Sequence, residues 1–375
     1  MRWIESRFLV ERALGAGLYC LVVMVAFLAI RNNRLRLKTI LNLVLFTLVV
    51  MAFFYIPTET ADIYRWQVLS RGWMGMRFKD FASVIMMRNA TPLGVGIIYV
   101  CQKTGINGIL PAFCALVFYA NVFHIFVITE KKYQISPRIM SLVFLYIMCT
   151  GRFQEVIAGI RNMLGFSIVA RCIADEVIKD KSVIKNSIWY LTACLIHSAI
   201  IPLVMLRMLF LLFDKKNKNL GLFVNLGFLM VAILFAYRYG MSYVITMYRK
   251  ARGFLTYDVY SYFWEYLITI LHMPLTIYAL WKYYKKRDRE SELYVMETWG
   301  VVTTVAEILM FGSFAIFQRF AAFSSLITIP VMASVLEGQK ENDRVTESNL
   351  IIICLITLMI AAVRGNLCAY KFFIL

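Results

Sequence analysis

Three short stretches of this sequence place charged, aromatic or imidazole side chains where they could act together on a ligand. In the first, Asp62 and Trp66 are four residues apart, as are Ala61 and Arg65. Residues at that spacing share a helix face, so a short interfacial helix would present a carboxylate, a guanidinium and an aromatic ring. Such a mixture suits a sugar, because aromatic faces stack on pyranose rings while charged groups bind hydroxyls. The alternative is an aromatic belt at the membrane surface.

The second stretch surrounds Arg161. Gly151, Arg152 and Glu155 precede it, and Arg161 follows Gly159 near the start of a hydrophobic segment. On a continuous helix with a rise of about 1.5 Å per residue, Arg161 lies roughly 9 Å deeper than Glu155. An ionised arginine at that depth is costly unless it lines a wet cavity or meets an anion, which makes Arg161 a candidate functional residue. The alternative is a structural arginine that snorkels or pairs with Glu155.

The third stretch contains His197, inside the apolar segment 188–213, where Pro202 favours a helix break. A broken helix in a membrane is tolerated only where the backbone is buried in protein or faces water. A histidine there could orient or deprotonate a hydroxyl, or bond a phosphate oxygen. The alternative is that His197 caps the broken backbone. The other two histidines, His124 and His272, are interpreted as packing or kink residues.

Arginines are frequent at the predicted outer ends of the hydrophobic segments. A guanidinium binds phosphate oxygens bidentately, which an ammonium does not, so these arginines suit the pyrophosphate of a lipid carrier. Glu307 lies in the middle of a segment and could be a general base, a proton-coupled transport residue, or a partner for Arg319 if their helix is continuous. The candidate substrate-binding residues are Arg65, Trp66, Arg152, Glu155, Arg249, Arg252 and Arg319.

The hydrophobic segments recur along all 375 residues, of which 61% are hydrophobic and 17% charged. A run of about 20 apolar residues crosses a hydrocarbon core of roughly 30 Å. The sequence therefore predicts an all-α, polytopic integral membrane protein that forms one domain, residues 1–375, with about ten transmembrane helices and short interfacial helices. The predicted spans are 13–30, 39–56, 109–128, 139–151, 155–175, 220–238, 263–281, 294–315, 320–336 and 347–364.

The segment 188–213 decides the predicted topology. A single crossing would place Lys282 and the basic residues after it outside, against the tendency of basic loops to remain in the cytoplasm. A re-entrant pair of short helices removes this conflict. Most lysines then lie in cytoplasmic loops and most arginines lie outside, where the longest loops are 57–92 and 239–262. The stretch 93–104 is interpreted as a helix that dips into the membrane.

The cysteines and the net charge limit the kinds of cofactor and partner that this sequence could have. The eight cysteines are scattered, mostly through apolar segments, and none forms a CxxC or Cys–His spacing, so no metal, disulfide framework or cofactor is predicted. The net charge of +18 could suggest nucleic acid, but no basic run accompanies a soluble fold. An anionic lipid or lipid phosphate is the better partner.

The order of these pieces resembles the EpsG-like family of bacterial polysaccharide polymerases, which is grouped with the Wzy polymerases of O-antigen and capsule. The matching pieces are 62–66, 159–162 and 196–199, and their order covers roughly residues 40 to 215. Asn162 departs from the glutamine expected in many relatives. Span number and chain length carry the resemblance across the remaining residues.

The resemblance implies a glycosyltransferase of the bacterial inner membrane whose active site faces outward. It would join undecaprenyl-pyrophosphate-linked repeat units, with the growing chain as donor and a new unit as acceptor, and without metal or cofactor. Under this hypothesis Arg161, His197 and Asp62 are catalytic. The implied partners are the lipid-linked donor and acceptor and membrane lipids, with flippase and chain-length regulator proteins as further candidates.

Three alternatives remain open from the sequence. Another lipid-carrier glycosyltransferase or a glycan ligase would bind the lipid pyrophosphate in the same way but transfer the glycan to a different acceptor. A flippase or transporter would also use broken helices and intramembrane charges such as Glu307 and Arg161. An accessory membrane subunit of a polysaccharide synthase is the third.

Overall fold

The structure is a computed structural model. It describes residues 2–33, 35–57, 59, 61–87, 89, 91–150, 153–213, 226–227, 230, 263–286, 293–338 and 344–363. All elements in these ranges are helices, which agrees with the predicted all-α class. The predicted span 220–238, the outer loop 239–262 and the candidate residues Arg152, Arg249 and Arg252 lie outside the described residues, apart from 226–227 and 230.

Within the described ranges, the chain forms eight helices before Gly159. They are α1 (Arg2–Arg31), α2 (Leu37–Phe53), α3 (Asp62–Arg71), α4 (Phe78–Phe81), which continues into a π-helical turn (Ala82–Met86), α5 (Pro92–Lys103), α6 (Ile109–Tyr133), α7 (Pro137–Thr150) and α8 (Phe153–Ala158). The stretch 93–104 is thus helical, as expected.

The second half begins with the helix that carries Arg161. The elements are α9 (Ile160–Lys179), α10 (Val183–Ile196), a 3₁₀ turn (Ser198–Ile200), α11 (Ile201–Phe213), α12 (Phe263–Lys286), α13 (Leu293–Leu309), α14 (Phe314–Ile327), α15 (Ile329–Glu337) and α16 (Arg344–Val363). Helix α6 packs against α2 and α9, while α1 and α16 pack against α7.

Several of these helices are apolar enough to lie in a bilayer. In the described ranges, Leu14–Arg31 and Ile109–Tyr133 have the length and hydropathy to cross a membrane. Ile316–Ile327 and Ile329–Glu337 would form a third span if they act as one broken helix, since they meet at a 52° bend. Shorter apolar helices such as Leu37–Phe53 accompany them. These features support a membrane protein, and the number of about ten spans stays a prediction.

Three predicted spans are divided in the structure. The span 155–175 is interrupted at Gly159, and 320–336 bends where Pro330 enters the first turn of α15, because proline lacks the N–H of a continuous helix. The span 294–315 ends at Leu309, and a turn separates it from α14. The idea that Glu307 and Arg319 share one helix is therefore wrong.

The break expected within 188–213 is present between α10 and α11. Both of these helices bind one carboxylate near the end of α9. Glu176 Oε1 accepts hydrogen bonds from Asn186 Nδ2 (3.1 Å) and the Tyr190 hydroxyl (2.9 Å). Its Oε2 accepts from Arg207 Nε (2.9 Å) and Nη2 (2.7 Å). Tyr190 precedes the break and Arg207 follows it, and both bind the same carboxylate, so the chain reverses between them. The two legs of this reversal, α10 and α11, are therefore both attached to α9.

Glu176 and Arg207 form a buried ion pair, with side-chain exposures of 3% and 8%. We expect Arg207→Met to lower the midpoint of thermal unfolding of the purified protein in detergent. The change leaves the Glu176 carboxylate buried without its counter-ion, and breaking such a pair costs about 3–5 kcal/mol.

Arg36→Met is the matched control, because Arg36 is exposed and its loss should leave the midpoint unchanged. Adding Glu176→Gln to Arg207→Met should recover part of the lost stability, since no charge then remains buried. Wild-type stability of Arg207→Met would contradict the role given to this pair.

Candidate functional site

Arg161 lies in the first turn of α9, and three side chains from α3 and the start of α5 surround its guanidinium. Its Nη2 lies 3.8 Å from Asp62 Oδ2, and its Cζ lies 4.4 Å from the centre of the Trp66 ring. Its Nη1 donates to the Thr91 hydroxyl at 3.3 Å. Only 18% of the Arg161 side chain is exposed, against 44% for Asp62. The cation is thus held by a carboxylate, an aromatic face and a hydroxyl.

Helix α3 supplies both Asp62 and Trp66, and the two side chains reach the same guanidinium as their spacing predicts. Arg65 is exposed and makes none of the contacts with Arg161 that Asp62 and Trp66 make. Because Arg161 covers one face of the Trp66 indole, only its other face could stack on a sugar.

Thr91 is a site residue that sequence reasoning did not identify. Its N–H and its hydroxyl both donate to Asn89 Oδ1 at 3.0 Å, which leaves the hydroxyl oxygen as acceptor for Arg161. Thr91 is buried and caps α5 directly before Pro92. A threonine followed by proline indicates a helix start, but it does not indicate which side chain the hydroxyl meets.

Gly94 lies between Arg161 and the break that separates α10 from α11. A Cβ at Gly94 would lie 2.4 Å from the carbonyl oxygen of Ile196 and 3.2 Å from Arg161 Cδ. Helix α5 therefore approaches the last carbonyl of α10 more closely than any residue with a side chain allows. His197 follows Ile196 directly, so the structure brings the His197 segment and Arg161 to one place.

His197 caps the broken backbone. Its Nδ1 accepts a hydrogen bond from the Ala199 N–H at 3.0 Å, at the start of the 3₁₀ turn. In this arrangement the hydrogen of the neutral ring is on Nε2, because one imidazole nitrogen accepts and the other donates. Any part that His197 takes in chemistry would therefore use Nε2–H as a donor.

A second arginine, Arg319 of α14, lies within electrostatic range of Arg161. Helices α9 and α14 are in contact one turn further along, where the rings of Phe166 and Phe323 are 6.0 Å apart. The carboxylates of Glu155 and Asp62 act on Arg319. Two guanidinium groups and two carboxylates thus interact in this region. The sequence suggested that Glu155 could pair with Arg161, but in the structure its charge acts on Arg319.

Three buried polar atoms, on Arg161 and on the chain neighbours of Arg161 and Arg319, have no hydrogen-bond partner among the described residues: Arg161 Nε, Asn162 Oδ1 and Gln318 Nε2. The contact between Arg161 and Asp62 at 3.8 Å is also too long for a hydrogen bond. A buried donor without an acceptor costs about 1–3 kcal/mol. The arrangement can therefore accept an additional ligand that carries hydrogen-bond acceptors, and the two arginines favour an anion.

Comparison with known proteins gives one match. The model of the EpsG family matches residues 96–373. This range includes Arg161, His197 and Arg319 and begins after Asp62 and Trp66. No curated protein and no solved structure matches this chain.

Gly94→Ala should lower the midpoint of thermal unfolding in detergent, because the new Cβ displaces the Ile196 backbone and overpacking of this kind costs about 1–3 kcal/mol. Gly96→Ala is the matched control: its Cβ would meet only the flexible Met86 Sδ, at 3.3 Å. Both changes gain the same helix propensity of about 1 kcal/mol. Equal midpoints for the two variants would contradict the close approach at Gly94.

Proposed function

This chain belongs to the EpsG family, and from that premise we propose that it polymerises undecaprenyl-pyrophosphate-linked oligosaccharide repeat units. The family and the apolar helices make it a membrane protein of polysaccharide biosynthesis. The proposal adds the lipid carrier, the repeat-unit substrate and the outer face of the bacterial inner membrane. One observation carries it: Arg161 is partly buried, lies within electrostatic range of a second arginine, and has a donor for which no described residue supplies an acceptor.

The pyrophosphate of a lipid-linked glycan could supply the hydrogen-bond acceptors that Arg161 lacks. Its oxygens are anionic acceptors, and a guanidinium binds them through several N–H groups in a planar fork. Asp62 at 3.8 Å is a counter-ion that holds Arg161 in place without occupying its donors fully. In this proposal Arg161 binds the pyrophosphate directly, and Arg319 adds a second positive charge.

The proposed reaction is displacement at the anomeric carbon of the donor glycan. The hydroxyl oxygen of the acceptor unit forms the new glycosidic bond, and the bond between the anomeric carbon and the phosphate oxygen breaks. Lipid pyrophosphate leaves with the electron pair of that bond, and the acceptor hydroxyl gives up its proton. Arg161 and Arg319 stabilise the negative charge that develops on the leaving group, which is the role that fixed cations serve best in a partly buried site.

Asp62 is the group assigned to receive the proton. It is more exposed than Arg161, with 44% of its side chain accessible, so an acceptor hydroxyl can approach it. His197 donates through Nε2–H to a glycan or phosphate oxygen, since its Nδ1 is engaged by the Ala199 N–H. Trp66 offers its second ring face to a sugar, and Glu155 remains the counter-ion of Arg319.

Arg161→Ala should reduce the rate of polymer formation by about 10²–10³-fold, the loss expected when one stabilising group for developing charge is removed. The assay supplies purified lipid-linked repeat units to the purified full-length chain in lipid vesicles and resolves the products by size. A ladder identifies a polymerase, whereas a single addition identifies a ligase or another glycosyltransferase.

Arg71→Ala is the control for this assay, because Arg71 is an exposed arginine at the end of α3. It should retain the wild-type ladder. A wild-type ladder from Arg161→Ala at normal expression would defeat the proposed site. Product from a complex but none from the purified chain would identify an accessory subunit.

Two substitutions of His197 separate capping from donation. Asn carries an acceptor where Nδ1 lies, so His197→Asn should keep the stability of the wild type and lose about 10²-fold in rate. Gln carries a donor near the position of Nε2 but no acceptor for Ala199, so His197→Gln should unfold at lower temperature and retain more activity. If His197→Asn polymerised at the wild-type rate, His197 would serve only as a cap.

A further inference from the structure

Glu307 is a buried carboxyl that the proposed reaction does not use. It lies two residues before the end of α13, and only 3% of the residue is exposed. No hydrogen bond or ion pair within the described ranges involves it, and its Oε1 has no contact with a donor there. The contrast with Glu176 is direct, because Glu176 is also buried but binds Arg207, Tyr190 and Asn186.

Among the described residues, the groups near Glu307 are neutral. On the side of α7, the Tyr146 hydroxyl lies within electrostatic range of the carboxyl and forms a 3.2 Å hydrogen bond with Thr276 of α12. Cys354 of α16 lies in the same region. On the side of α14, Thr304 of α13 bonds Ser324 at 3.2 Å. Hydroxyl and thiol groups face this part of α13.

The cation on the neighbouring helix α14 has other carboxylates beside it. Arg319 is under the influence of Glu155 and Asp62. An ionised carboxylate buried without a cation or a hydrogen-bond donor costs several kcal/mol, and such a group becomes neutral by binding a proton instead. The geometry of Glu307 therefore favours the protonated form.

We propose that Glu307 is a proton-binding site of this membrane protein, and that its carboxyl is protonated and neutral at neutral pH. In that form it carries no charge into the bundle and can donate a hydrogen bond. It is consequently not the base that receives the acceptor proton. Release of its proton would place a negative charge within electrostatic range of Tyr146, with no described cation paired to it.

Infrared spectroscopy of the purified full-length chain in lipid nanodiscs at neutral pH tests this proposal. The carbonyl stretch of a protonated carboxylic acid is separated from that of a carboxylate and shifts on transfer into D₂O. The wild type should show this band, and Glu307→Gln should lose one carboxyl equivalent of it. If Glu307→Gln fails to fold, Glu307→Asp should move the band, because the aspartyl carbonyl absorbs at a different frequency.

Glu337→Gln is the matched control. Glu337 is exposed and accepts hydrogen bonds from the Ser136 N–H (2.8 Å) and hydroxyl (2.7 Å). This variant should retain the full band. Absence of the band in the wild type, or an unchanged band in both Glu307 variants, would overturn the proposal. Neither result depends on polymerase activity, so this proposal and the proposed function can fail independently of each other.

Discussion

The buried carboxylate of Glu176 fixes the geometry on which the candidate site depends. It binds Asn186 and Tyr190 on one leg of the α10–α11 reversal and Arg207 on the other, so both legs are attached to the end of α9. Near the other end of α9, Gly165 admits Ile200 at a distance that a side chain would forbid. These two attachments hold the break against the half of α9 that begins with Arg161. If either leg were released, His197 would have no fixed position relative to Arg161.

Arg161 is stabilised only in part by the protein itself. An ion pair at 3.8 Å, a stacking contact with Trp66 and one hydrogen bond to Thr91 compensate a guanidinium that has lost most of its water. Arg319 nearby adds repulsion, which Asp62 and Glu155 offset. A site that is held in position but short of acceptors is suited to an anion, because the ligand supplies what the fold leaves unmet. The phosphate oxygens of a lipid carrier have this chemistry.

The sequence predicted the helical class, the membrane character, the break near His197 and the shared face of Asp62 and Trp66, because each follows from local spacing or from proline. It did not predict Thr91 or Gly94, since their roles come from contacts between α5, α9 and α10 that no local pattern encodes. It carried the span 294–315 beyond Leu309 and left open whether the helix of Glu307 continues to Arg319, because apolar composition continues through the turn at Gly312. Arg65 is exposed in the structure, and its assignment to substrate binding stays a prediction.

The most direct test is a structure of the protein with an undecaprenyl-pyrophosphate-linked repeat unit bound. We expect phosphate density between α9 and α14, with phosphate oxygens within hydrogen-bond distance of Arg161 and beside Arg319. Phosphate density at the opposite end of α9, where Lys179 and Lys181 gather around Asp175, would contradict it.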